Sequence, residues 1–265
     1  MSMKLSAAVA ALPPRPFNPI PAVIAGVFLI GALFVLHLEL SVESLEYALQ
    51  DIAEYFSRYG QPDFSDLPHY LYLLLQTLAT ALWGSAIAFV GGFVLAPLAA
   101  RNLTPNRFCF NLVREFLSVL RATPDLLLAL FFVAAIGLGP LPGTLALGLH
   151  TMGFLAKFMA EGLERVPAGT YEGVRATGAG PMQVLFYAGW PSISRETVGY
   201  ALYILDRNVR MSSVLGLVGA GGIGQALYDA LRLFQYGRSA ALIVILLVTI
   251  VAIDALSGWA RQRLA

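Results

Sequence analysis

The chain has 265 residues, 58% of them apolar and only 12% charged, with a mean hydropathy of +0.72. Soluble domains carry roughly 25% charged residues, so the composition excludes a water-covered globule and points to an all-α integral membrane protein. The net charge of +1 excludes little, but the single cysteine, Cys109, excludes an internal disulfide and a cysteine-cluster metal site.

A membrane-spanning helix needs about 20 mostly apolar residues. Pro21 to Leu38 is the first such run, flanked by Lys4 and Arg15. A signal peptide competes with this reading, yet no small-residue cleavage site follows, and an uncleaved span is preferred. Residues 39–68 are acidic, with Glu39, Glu43, Glu46, Asp51, Glu54, Asp63 and Asp66 against Arg58. A second span is expected from Tyr70 to Leu98. Arg101, Arg107, Arg114 and Arg121 follow in a basic stretch suited to an amphipathic helix. A third span begins after Pro124 and ends at the turn-rich Gly137-Leu-Gly-Pro-Leu-Pro-Gly143. Spans at Thr144–Leu163, Thr197–Leu217 and Ala240–Trp259 complete a set of about six, and the tail carries Arg261 and Arg263.

Alternating these spans gathers the arginine-rich loops on one side and the acidic 39–68 loop on the other. The positive-inside rule then places both termini in the cytoplasm. Residues 1–69 read as an N-terminal segment with the first span and an external loop, and 70–265 as the core domain.

Between the fourth and fifth spans lies a polar stretch, Glu172-Gly-Val-Arg-Ala-Thr-Gly178, and, after nine intervening residues, Ala188-Gly-Trp-Pro191. Thr170 is placed to cap a short helix whose first turn holds Glu172. Gly178 to Pro181 then breaks the chain and starts a second helix, and Pro191 is expected to end it. The plain alternative is a re-entry loop whose Gly and Pro merely turn the chain. The frame of Glu172, Gly178 and Pro191 resembles the EAA loop of bacterial ABC-importer permeases, by which such a permease meets its ATPase, and Gly173 falls within that coupling loop. Gly173, Val174, Ala188 and Trp190 depart from the usual alanines and apolar pair. No Gly-x-x-x-x-Gly-Lys-[Ser/Thr] occurs, so any ATP must be used by a partner.

Gly219-Ala-Gly221-Gly222-Ile-Gly224 satisfies the dinucleotide-binding pattern Gly-x-Gly-x-x-Gly. That reading also needs a βαβ unit and an acidic residue about 20 positions on, where this chain is apolar. The glycines serve either close packing and chain reversal or, through their N–H groups, an anion path.

The run Asn208-Val-Arg210-Met-Ser212-Ser213 to Gly224 resembles phosphonate ABC-transporter permeases. So do Arg121-Ala-Thr-Pro124-Asp, Gly137-Leu-Gly-Pro140 with Gly143, Leu149-His-Thr151, and Lys157 with Glu161. The resemblance covers residues 70–260 and implies a type I ABC-importer permease fold without bond chemistry, hence not an enzyme. It implies a second permease copy or paralogue and a cytoplasmic ATPase dimer that binds ATP and Mg. It further implies an external (periplasmic) binding protein that delivers phosphonate, phosphite or phosphate. No cofactor is expected in this chain, and no nucleic-acid partner; lipids surround it.

Ionisable groups within spans are costly and mark function or packing. Lys157 with Glu161, and Asp206 with Arg210, stand four apart and can neutralise one another. They either lock helix packing or line an anion path, with Arg210, Ser212 and Ser213 as donors and Arg207 as a weaker member. Arg121 and Pro124 are expected at the cytoplasmic start of a span, and His150 as a buried, hydrogen-bonded residue. An ion-gradient carrier and a membrane-embedded enzyme are the rivals; the three histidines, His37, His69 and His150, are too scattered to form a metal site.

Overall fold

The computed structural model describes residues 19–37, 42–104 and 106–264, without the side chains of 34–46 and 264. Lys4, Arg15, Leu38 and Glu39 lie outside that description. The chain divides into two compact units, Met1–Ser57 and Arg58–Ala265. The first holds α1 (Ile20–His37) and α2 (Val42–Ser57). The stretch expected as an acidic loop is thus largely helical. Its apolar positions, among them Tyr47, Ile52 and Phe56, recur among carboxylates in an amphipathic pattern.

The second unit is helical throughout: α3 (Leu67–Ala99), α4 (Arg107–Ala122), α5 (Asp125–Ile136) and α6 (Pro140–Arg165). Then come α7 (Ala168–Arg175), α8 (Pro181–Val184), α9 (Trp190–Leu215), α10 (Gly222–Arg232) and α11 (Tyr236–Leu264). Helices α3 and α11 are each long and apolar enough to cross a membrane. Two further candidates are bent pairs, α4 with α5 at 89°, and Pro181–Val218 with Gly222–Arg232 at 44°. Helix α6 has 26 residues, enough to span, but carries Lys157, Glu161, Glu164 and Arg165 towards its C-terminus.

The α3–α6 contact organises the bundle. Small residues repeat along α3 (Ala81, Gly84, Ala88, Gly92 and Ala96, all buried), and Gly84 and Gly92 face Gly148 and Ala156 of α6. A Cβ on Gly84 would stand 2.9 Å from that of Leu147, and one on Gly148 equally close to that of Ile87. Lipid is as apolar as leucine, so helices associate through such close backbone packing rather than hydrophobic burial.

The α4–α5 bend has a local cause. Thr123 precedes proline and is extended (φ −75°, ψ 121°), because the proline ring disfavours helical geometry there. Pro124 then starts α5, which at 12 residues covers about 18 Å, well short of a bilayer core of about 30 Å. This revises the expectation that Arg121 and Pro124 mark the cytoplasmic start of a span. Helix α4 buries Leu117 against α6, and a Cβ on Gly153, midway along α6, would lie 3.0 Å from the Arg121 nitrogen. Arg121 therefore sits at mid-depth in the bundle.

The two ends of this unit differ in chemistry. At one, Glu164 accepts from the Arg101 N–H at 2.8 Å and lies 3.8 Å from Arg114, while Arg165 pairs with Glu196 at 2.6 Å. At the other, the Gly139 N–H donates to the Gly219 carbonyl, and the Asp63 N–H to the Gly237 carbonyl. Arg232 and Arg238 belong to this second end, Arg238 lying over the Tyr70 ring. The separation of arginines by side is therefore incomplete. Asp63, which accepts from Ser65, is held below the usual carboxylate range by that hydrogen bonding.

Candidate functional site

Beyond the arginine end of α6 the chain builds a knob. Pro167 precedes α7 and the Thr170 N–H donates to its carbonyl, so Thr170 lies inside the helix instead of capping it. Tyr171 is buried beneath the knob and donates its hydroxyl to the Leu163 carbonyl at 2.9 Å. Burial also pushes its phenol above the ordinary tyrosine value. Gly178 ends the helix with φ +85°, a left-handed conformation that a side chain resists. Pro181 opens α8, where the Gln183 side chain accepts from the Gly180 N–H at 2.8 Å.

A π-helical turn, Leu185–Gly189, carries α8 directly into α9. Pro191 therefore does not end an element: it stands exposed in the first turn of α9, directly after the π turn. Trp190 stacks on Phe93 of α3 with ring centroids 4.0 Å apart, fixing the knob to the bundle. Glu172, Gly173 and Gly178 face outwards, and a groove of about 440 Å³ runs past Gly173, Thr177, Gly178 and Tyr187.

A second constellation lies at mid-depth. Arg207 of α9 donates from Nη2 to His150 Nε2 at 3.1 Å and lies 3.4 Å from Asp125 Oδ2. The other ring nitrogen of His150, Nδ1, stands 2.9 Å from the Thr123 carbonyl. A carbonyl can only accept and a guanidinium only donate, so His150 is the neutral tautomer protonated on Nδ1. Arg207 and Arg121 both lie over the Phe154 ring, at 5.5 and 5.7 Å. Arg207 Nη1 is buried without a partner.

The residues singled out for an anion path are disposed differently. Asp206 holds Arg210 through two bonds of 3.1 and 2.5 Å. Ser212 and Ser213 turn their hydroxyls onto the Val209 carbonyl, because serines in a helix interior bond back to the preceding turn. Lys157 donates to Ser118 of α4 at 2.7 Å instead of to Glu161, which is exposed a turn further on. Asn208, fully buried, donates to Ser85 at 3.0 Å.

In the glycine loop, Gly219, Gly221 and Gly222 all have positive φ. The N–H groups of Gly222 and Ile223 donate to the side chains of Gln76 and Thr77 on α3, at 3.0 and 2.9 Å. A Cβ on Gly224 would collide with the Ser213 carbonyl. These contacts tie α10 against α3 and α9, so at least two loop donors serve packing. Sequence reasoning left Asp125 and Phe154 without a role. A carboxylate directly after a span-starting proline, and an aromatic four residues after His150, were the available signals.

An all-helical membrane bundle with an exposed, glycine-broken knob at its arginine end is the architecture of a transporter's membrane subunit. Residues 88–265 match the family described as binding-protein-dependent transport system inner membrane component. The chain is 41% identical over 242 residues to the phosphite transport system permease protein PtxC of Stutzerimonas stutzeri, covering 91% of this chain and 87% of that protein. It is 40% identical over 210 residues to the phosphate-import permease protein PhnE of Mycolicibacterium smegmatis, covering 79% of this chain but 40% of that protein. Among solved structures, an inward-facing MetNI methionine ABC transporter chain superposes with a TM-score of 0.62 at 22% identity, covering 74% of this chain and 96% of its own. An amino acid ABC transporter with histidines gives 0.60 at 17%, covering 76% and 98%.

The chain belongs to the family of inner-membrane components of binding-protein-dependent transport systems. It has the ABC type I importer permease fold, and it is a transport subunit, not itself an enzyme.

Proposed function

We propose that the chain is the permease of an ATP-driven importer for a phosphorus oxyanion: phosphite, phosphate or a phosphonate. The observation that carries the mechanism is the knob at Ala168–Gly189. It is anchored by Tyr171 and Trp190 and leaves Glu172 and Gly178 exposed at the arginine end. A knob fixed at its base moves as one piece with α6 and α9, so a force applied by a docked ATPase reaches both helices. The arginine end faces the cytoplasm on the positive-inside argument, and an external binding protein delivers substrate at the glycine end. A second permease copy or paralogue completes the pore, and ATP with Mg is bound by the ATPase. The substrate class is supported by the relatives, two of which carry phosphite and phosphate in their names.

The test is uptake of labelled phosphite, phosphate and methylphosphonate by cells with and without the permease. ATP depletion and an ionophore are applied separately. Uptake of at least one oxyanion that stops on ATP depletion and survives the ionophore is expected. Uptake that follows the ion gradient instead would identify a carrier.

A further inference from the structure

We propose that Arg207 and Arg121, set against Phe154 at mid-depth, form a binding site for the phosphorus oxyanion inside the translocation route. Lys157 is the next cationic station towards the arginine end. The proposal rests on the functional reading above and assigns its substrate a place in the membrane domain.

Two helix faces build the route. On α6, His150, Phe154 and Lys157 follow at intervals of four and three, one face of the helix. On α4, Arg114, Ser118 and Arg121 do the same. The faces meet at three contacts in succession: Lys157 to Ser118, Arg121 over Phe154, and His150 to the Thr123 carbonyl. Arg207 of α9 closes the inner end. From His150 to Glu164, which pairs with Arg114 at the arginine end, α6 rises about 21 Å.

The cations are only partly compensated. Arg114 has Glu164, and Arg207 has Asp125 at a long 3.4 Å. Among the described residues, no carboxylate lies within 4 Å of Arg121 or Lys157. Arg121 is exposed and the Arg207 side chain is 25% exposed. Charged groups at mid-membrane depth face water or protein rather than acyl chains, so this face belongs against the pore or the second permease copy rather than lipid.

Arg207 has spare donor capacity. Nη2 serves a neutral imidazole and a distant carboxylate, and Nη1 is buried without a partner. A guanidinium is a fixed fork matched to two oxygens of a tetrahedral oxyanion, and a second fork on the same ring doubles the donors. Asp125 acts as a resident counter-ion, held loosely enough for the substrate to displace. By contrast, Arg210 has both nitrogens engaged by Asp206.

The experiment uses vesicles holding the assembled transporter, with labelled phosphite and phosphate as probes. Arg207→Lys and Arg121→Gln should lower uptake on the order of tenfold or more, the effect of losing charge-assisted bonds to substrate. ATP hydrolysis stimulated by the binding protein should remain within about twofold, since the knob is intact. Arg121 is exposed, so its variant tests the site even where Arg207→Lys assembles poorly. Wild-type uptake of both probes by both variants, alongside loss of uptake by Glu172→Lys, would overturn the site and leave the functional reading standing. If wild-type vesicles carry neither probe, the site falls together with that reading.

Discussion

Arg207 and His150, on different helices and 57 positions apart in the chain, meet through a single 3.1 Å hydrogen bond from guanidinium to imidazole. That bond requires a neutral ring, and the ring in turn grips the carbonyl of Thr123 at the α4–α5 bend. One side chain thus couples the position of an arginine to the shape of a broken helix.

Replacing His150 by leucine should cost about 1–3 kcal/mol, because the Thr123 carbonyl and an Arg207 N–H lose a partner within the bundle. Thermal unfolding in detergent reads this directly. An unchanged midpoint would mean that water serves both groups.

The two glycines of the knob should behave differently. Nothing lies within 4 Å of a Cβ on Gly173 or on Gly178, but only Gly178 has positive φ. Gly173→Ala should leave stability unchanged, whereas Gly178→Ala should cost about 1–2 kcal/mol from left-handed strain. Paired melting curves of the two variants separate conformational need from contact.

Glu172→Lys should leave the protein inserted and folded, since Glu172 is exposed, while uptake falls with the ATPase still turning over. Parallel measurement of membrane abundance, ATP hydrolysis and uptake tests it. Full uptake would remove Glu172 from coupling.

Gly224→Ala should destabilise by about 1–3 kcal/mol through overpacking against the Ser213 carbonyl. Loss of the monodisperse peak in detergent chromatography, or a lowered melting midpoint, is the expected sign. Gly199, with nothing within 4 Å of its Cβ, supplies the matched control on α9.

Tyr171→Phe removes the bond to the Leu163 carbonyl at the base of the knob and should cost about 0.5–1.5 kcal/mol. Coupling efficiency, measured as substrate moved per ATP, should fall with it if the knob must stay rigid.

Much of the fold could be read along the chain. The apolar runs map onto α1, α3, α5, α6, α9 and α11, and the Gly178 and Pro181 breaks fall where local chemistry puts them. The errors share a cause. Pro191 was expected to stop a helix because proline stops helices in isolation, but here it begins one after a π turn. Arg121 was expected at the cytoplasmic start of a span, but α4 carries it along α6 to the level of Gly153. Ser212 and Ser213, offered either to packing or to an anion path, bond back to the Val209 carbonyl of their own helix.

The sequence alone pointed to a membrane protein, the frame of the knob and the family it resembles. These depend on composition and on residues close together in the chain. Only the tertiary structure decided which charges meet. Asp125 and Arg207 are 82 positions apart, and their encounter depends on a proline bend, a small-residue seam between α3 and α6, and the rotation of α9. Partners chosen by packing across helices leave no periodic mark on any one of them, so the spacing could offer Arg207 beside Arg210 but only the fold could show that it meets His150 and Asp125.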